Sequence, residues 1–148
     1  MKDKVTAIIR SHKSERSQLV SILQDIQAEY NYLPKDALQK VSHKMDIPLS
    51  QVYAMATFFR AFSLKERGKH IVNVCLGTAC HVRGSAAILD RIKMRLNVDP
   101  GHTTPDGKFT LETVNCMGAC ALGPVITIDG EYHGQMSAEK VDQLLGQY

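Results

Sequence analysis

The sequence predicts a small all-α helical bundle followed by an α/β layer domain, and three observations carry that prediction. Apolar residues recur at helical spacing as far as about Leu64. A charged stretch without apolar period, LKERGKH, then interrupts them at residues 64–70. Beyond it, β-branched alternation and helical periodicity take turns, as a layered α/β domain requires. We place the two domains at residues 1–66 and 67–148. The 148 residues can bury a core without disulfides to hold them folded.

The helical part is read segment by segment. In SERSQLVSILQDIQAEY, Leu19, Ile22, Leu23, Ile26 and Tyr30 fall on one face, and Ser14 or Ser17 can cap the start. YNYLPKDALQKVSHKMD breaks at Pro34 and resumes with Leu38, Val41 and Met45 inward; proline suits a first turn, where its missing N–H costs nothing. IPLSQVYAMATFFRAF forms a third helix with Val52, Met55, Ala56 and Phe59 on one face, and we read Met55 and the phenylalanines as core. The short connections favour an antiparallel bundle.

After the boundary, HIVNVCLG alternates through Ile71, Val72 and Val74 and reads as a strand ending at Cys75. GSAAILDRIKMRLNV returns to helical spacing through Ile88, Leu89, Ile92 and Leu96. DPGHTTPDGK is dense in turn residues, with Asp106-Gly107 as its tight point. FTLETVNC is a second strand running to Cys116, and PVITIDGEYHG doubles back at Asp129-Gly130. SAEKVDQLLGQY closes the chain as a helix capped by Ser137, with Val141, Leu144 and Leu145 inward. The order is β-α-β-β-α, its last β segment folded on itself.

Composition excludes several functions. A net charge of +3 without a dense Lys/Arg stripe, and no tryptophan, gives no basis for nucleic-acid binding. The start, MKDKVTAIIRSHKSER, has neither an apolar h-region nor a small-residue cleavage site. No apolar run approaches the roughly 20 residues of a membrane span. These features point to a cytoplasmic protein, soluble or on the cytoplasmic side of a membrane-associated complex, where stable disulfides are rare. There is no G-x-G-x-x-G and no phosphate-binding G-x-x-x-x-G-K-[ST], and no paired carboxylates mark an acid–base site. We therefore expect no catalytic residues of its own.

The chemistry lies in the cysteines. CLGTACHVRG carries Cys75 and Cys80, and CMGACALGP carries Cys116 and Cys120; these are all four cysteines of the chain. Each pair follows a predicted strand and lies in a loop with glycine, Gly77 or Gly118. Two such loops at the same end of neighbouring strands can bring four sulfurs together. Polarizable thiolates suit zinc or an iron–sulfur cluster. A cluster also needs backbone N–H groups aimed at its sulfurs, which glycines and the small Thr78, Ala79 and Ala119 permit. Spacing leaves a structural zinc site open, since zinc pairs come as C-x₂₋₄-C. It leaves open four unrelated buried cysteines too. It excludes a C-x-x-C redox dithiol and differs from the plant-type ferredoxin run.

Cys75-x₄-Cys80, thirty-five intervening residues, then Cys116-x₃-Cys120 resembles the thioredoxin-like [2Fe–2S] ferredoxins. More narrowly, the chain is similar to the 24-kDa-type subunit of NADH:quinone oxidoreductase and its relatives in NAD(P)-linked hydrogenases and formate dehydrogenases. The resemblance covers nearly the whole chain: IPLSQVYAMATFFRAF, CLGTACHVRGS, TTPDGKFTLETVNCMGACALGPV and the closing helix come in the family's order. CLGTACHVRG and CALGP look closer to the soluble hydrogenase-type members. The resemblance implies a thioredoxin-like fold and one [2Fe–2S] cluster held by Cys75, Cys80, Cys116 and Cys120. It implies an oxidoreductase subunit that exchanges single electrons with the FMN of a flavin- and NAD(H)-binding partner, with further redox subunits in the complex and, in some relatives, electron bifurcation. FMN and NAD(H) belong to that partner alone. The rival readings are a zinc-stapled interaction module with no redox role and a free-standing shuttle ferredoxin; the helical preface argues for a fixed place in a complex.

Three neighbours of the cysteines invite roles. His81 could tune a cluster or carry a proton, though a loop residue accounts for it; four cysteines leave no need for a histidine ligand. Arg83 could offset cluster charge, pair with a partner's carboxylate, or simply be solvated. Pro124 follows the second pair; trans is the default for X–Pro, while in the thioredoxin-like folds that the chain resembles a proline near this place is often cis, and the sequence leaves the two open.

Overall fold

The structure is a computed structural model that describes residues 2–148, with side chains from residue 4 onward. The described chain divides into two compact units, with the division between Glu66 and Arg67.

The first unit is helical. α1 (Lys2–Ser11) buries Val5 and Ile9, in a stretch to which the sequence reading assigns no helix. A 3₁₀ turn, Arg16–Gln18, leads into α2 (Leu19–Tyr30), whose Leu19, Ile22, Leu23 and Ile26 are all buried. That turn also corrects the capping expectation. Gln18 occupies the cap position without a side-chain bond, and neither Ser14 nor Ser17 caps α2. The 3₁₀ bond from Gln18 N–H to the Glu15 carbonyl, 3.0 Å, begins the helical run before a serine can. α3 (Lys35–Met45) buries Leu38, Val41 and Met45, with Pro34 one place ahead of it and accepting from the Leu38 N–H at 3.1 Å.

α4 (Leu49–Phe58) buries Val52 and Ala56. Three residues expected in the core depart from it. Phe58, the last residue of the helix, is 78% exposed. Met55 is only partly buried, and Phe59 lies beyond the helix in extended backbone and stays 37% exposed. The segment after α4 returns to α2 through Gln27: its side-chain amide donates to the Ala61 carbonyl, and its oxygen accepts from the Ser63 N–H at 2.7 Å. Burial of about a dozen aliphatic side chains, each worth about 1.5–3 kcal/mol, is the main favourable term holding this unit.

The second unit is a five-stranded sheet with helices. β1 (His70–Cys75) leads to a short helix, α5 (Thr78–Val82), and then to α6 (Ser85–Leu96). β2 (His102–Thr103) is a two-residue strand inside the stretch read as turn only; the Thr103 hydroxyl meets that of Thr110 at 2.8 Å. β3 (Phe109–Val114) follows, then a 3₁₀ turn at Cys120–Leu122, β4 (Ile126–Ile128), β5 (Glu131–His133) and α7 (Ala138–Leu145). The sheet order is β2-β3-β1-β4-β5. β1 and β3 run parallel, and the other pairings are antiparallel.

Val72, Val74, Leu111, Ile126 and Ile128 from the sheet pack with Ile88 and Ile92 of α6 and Val141 and Leu145 of α7. Ser137 caps α7 as expected, its hydroxyl accepting from the Lys140 N–H at 3.3 Å. At the tight turn after β4, Asp129 has φ 53° and its carboxylate accepts from the Ile71 N–H at 2.9 Å, so the turn is tied to the start of β1. The Gly123–Pro124 peptide is cis. Among the described residues no helix is long and apolar enough to cross a membrane.

Arg91 of α6 clasps Asp142 of α7, with Nε donating to Oδ1 at 3.1 Å and Nη2 to Oδ2. The Arg91 hydrogen bonds and charge, with Arg95 nearby, hold the Asp142 carboxyl below its ordinary pKa against the opposing effect of desolvation. A depressed folded-state pKa stabilises the fold above the unfolded carboxylate value of about 3.9 and ceases to do so as pH falls through the folded value. We predict that wild type exceeds Asp142→Asn in urea midpoint at pH 7 and that the two converge on acidification below about pH 4. Parallel curves across that range would contradict the assignment.

Candidate functional site

Because β1 and β3 are parallel neighbours, their C-terminal ends lie side by side, with Cys75 in register with Val114. The chain leaves both strands at one edge, and the two cysteine loops start there. Cys75 is the last residue of β1 and is buried. Cys80 sits on α5, also buried, where the sequence reading has only a loop. Cys116 lies two residues beyond β3, which ends at Val114 rather than at the cysteine, and Cys120 opens the 3₁₀ turn; both are exposed. None of the four is in a disulfide.

All four cysteines line one cavity of about 600 Å³, together with Thr78, Ala79, Val82, Arg83 and Asn115. Among the described residues, no three or more histidine, cysteine or carboxylate side chains are placed to hold one metal ion. Cys75 interacts through its side chain with both Cys80 and Cys116, and Cys80 feels the charges of Cys75 and Cys120. A larger cavity, about 720 Å³, lies in the helical unit between Val5, Tyr30, Pro34 and His43, and its described lining contains no sulfur.

The backbone around the sulfurs is arranged to donate. The Gly77 and Met117 N–H groups point at the Cys75 sulfur, that of Val125 at Cys80, and that of Gly118 at Cys116, the last at 3.3 Å. Gly118 has φ 73°, a conformation that favours glycine and turns its N–H back toward the preceding cysteine. Burial pushes the Cys75 thiol up, but the N–H donors and the two neighbouring cysteine side chains outweigh it, so its pKa is lowered. Cys80 goes the other way: burial and the Cys75 thiol raise it beyond what the Val125 N–H can offset. Donors aimed at sulfur stabilise thiolates, the form in which cysteine binds metal.

The two loops are held in close contact. The Cys75 N–H donates to the Val125 carbonyl at 3.2 Å and the Leu76 N–H to that of Val114 at 2.9 Å. Gly123 is wedged at the centre, where an added Cβ would lie 3.2 Å from the Cys80 sulfur and 3.3 Å from the Cys120 carbonyl oxygen. His81 is exposed and is not among the residues lining the cavity. Arg83 does line it and donates to carbonyls of the opposite loop. The contributions of Met117, Val125 and Gly123 are absent from the sequence reading. The first two act through the backbone, which residue type does not reveal; a glycine before Pro124 is the one available sign of the third.

Residues 5–148 match the family model of the thioredoxin-like [2Fe–2S] ferredoxins. The chain belongs to this family. It is 35% identical over 144 residues to the NADP-reducing hydrogenase subunit HndA of Solidesulfovibrio fructosivorans, covering 97% of this chain and 84% of that one. It is 34% identical over 145 residues to a subunit of the NADH-quinone oxidoreductase of Rhizobium meliloti (strain 1021), covering 98% and 86%. Both relatives are oxidoreductase subunits. Among solved structures, an NAD+-reducing [NiFe]-hydrogenase in the air-oxidized state superposes with a TM-score of 0.76 over 88% of this chain, at 21% identity. This chain spans 22% of that hydrogenase chain, and the likeness speaks to the fold alone.

Gly77 gives the clearest test of how tightly the loops fit. Its φ of −60° suits any residue, yet an added Cβ would sit 2.9 Å from the Asn115 carbonyl oxygen. Gly77→Ala should therefore destabilise by about 1–3 kcal/mol through overpacking alone. Guanidinium unfolding measures it, and a loss below about 0.5 kcal/mol, the range of an uninvolved surface site, would contradict this packing.

Proposed function

We propose that the chain is an electron-transfer subunit whose Cys75, Cys80, Cys116 and Cys120 hold one [2Fe–2S] cluster. The observation that carries this is the convergence of all four sulfurs on one cavity, with backbone N–H groups directed at three of them. A soft four-sulfur donor set fits such a cluster, and the donors offset the negative charge of an all-thiolate site. When bound, the cluster takes up and releases one electron at a time.

The chain's own residues set how that electron enters. Cys75 and Cys80 lie on the buried side and Cys116 and Cys120 on the exposed side, so a redox partner approaches from the second loop. Val82, 80% exposed, and Leu122, 46% exposed, flank that approach with apolar surface. We take the partner to be a flavin- and NAD(H)-binding subunit whose FMN splits a hydride into single electrons. The supports are the names of the relatives, an NADP-reducing hydrogenase subunit and an NADH-quinone oxidoreductase subunit. Identities of 35% and 34% do not choose between those two settings, and the proposal is for the electron transfer they share. In this reading residues 67–148 carry the cluster and residues 1–66 fix the subunit in its complex, with Phe58, 78% exposed at the end of α4, available to a partner.

Anaerobically purified protein should contain two irons and two acid-labile sulfides per chain and give a rhombic EPR signal on reduction. One zinc with no iron or sulfide would overturn the proposal in favour of a zinc-stapled module. Cys116→Ser should lose the cluster or change its EPR spectrum; an unchanged spectrum would reject Cys116 as a ligand.

A further inference from the structure

We propose that Arg83 is a positioning residue of the cysteine cavity, a cross-link that holds the Cys120 turn against the α5 segment bearing Cys80. Arg83 directly follows α5 and stands three residues beyond Cys80. Its Nη1 donates across the cavity wall to the carbonyl oxygens of Cys120 at 3.2 Å and Ala121 at 3.4 Å. Its Cδ lies 3.4 Å from where a Cβ on Gly123 would be, so the aliphatic stem also packs on the chain between Cys120 and Pro124.

The geometry gives this contact a particular place. At the strand ends the loops are joined by backbone bonds, Cys75 to Val125 and Leu76 to Val114. Farther out, the Cys120 turn is anchored from behind by Gln135, whose N–H donates to the Leu122 carbonyl at 2.6 Å. Arg83 supplies the tie on the cavity side, between the segments carrying Cys80 and Cys120. Arg83 is itself exposed, so solvent weakens its contacts as it does a surface ion pair. Here a charged donor meets two backbone carbonyls of a turn that must keep a sulfur in place, and it lines a cavity of thiols. The same guanidinium sets a positive charge beside the four sulfurs, which favours the more negative, reduced state of whatever they bind.

The inference rests on the proposed cluster, and the test separates the two. Iron and sulfide are first measured in the wild-type chain; their absence overturns the cluster and this inference with it. With the cluster present, Arg83→Gln removes fork and charge, whereas Arg83→Lys keeps the charge as a point. Both variants should lose iron to a chelator roughly three- to tenfold faster than wild type, the range of one ordinary net hydrogen bond, since solvent weakens the charge at this exposed position. Both should show shifted EPR g-values. The midpoint potential should move negative in Arg83→Gln and less so in Arg83→Lys. Wild-type g-values and a wild-type release rate in a folded Arg83→Gln, checked by circular dichroism, overturn the proposal while leaving the cluster standing. If Arg83→Gln does not fold, the same two readouts in Arg83→Lys decide it.

Discussion

The parallel pairing of β1 with β3 is the constraint on which the site depends. Antiparallel neighbours would send their C-terminal ends to opposite edges of the sheet and carry the two cysteine pairs apart. Parallel neighbours deliver both to one edge, and the register of Cys75 with Val114 sets them at the same height. The pairing obliges the chain to cross back between the strands, and α5 and α6 make that crossing. α5 carries Cys80, and α6 buries Ile88 and Ile92 against the sheet. β4 then lies antiparallel on the other side of β1, which brings Val125 to donate toward Cys80 and to accept from Cys75. One strand pairing thus links core formation to sulfur placement.

Around the sulfurs the structure answers an electrostatic problem with backbone. Burial disfavours the thiolate at Cys75 and at Cys80, and a charge on Cys75 further disfavours one on Cys80. The opposite shifts of Cys75 and Cys80 show how the balance divides. Cys75, with two N–H donors, is biased toward the thiolate, and Cys80, with one donor and Cys75 beside it, is biased against it. Any positively charged centre between them would reverse the penalty on Cys80. The asymmetry in exposure carries a second consequence: the buried pair secures the site to the core, and the exposed pair offers it to the outside.

Much of this is legible in the sequence. On the face read for α2, Leu19, Ile22, Leu23 and Ile26 are buried and Tyr30 is partly buried, and the strand through Val72 and Val74 ends at Cys75 as its alternation requires. Spacing and glycines, in loops after neighbouring strands, point to four sulfurs around one cavity. What escapes has physical reasons. α1 has only Val5, Ile8 and Ile9 at helical spacing, a single short stripe in a charged stretch that does not stand out as a helix by itself. The five residues of α5 are too few for any periodicity to appear, and the two of β2 fewer still. Phe59 continues a helical face one residue past the helix end, where the backbone has turned extended. The role of Arg83 depends on a fold that brings residues 37 apart into contact, which no local pattern contains.

In the proposed site these four sulfurs, and no other side chains, complete a two-iron centre. X-ray absorption at the iron edge on anaerobically purified chain tests it most directly. Each iron should show only sulfur neighbours with one iron scatterer beyond them. A nitrogen or oxygen neighbour, or iron with no second iron nearby, would contradict the proposed site.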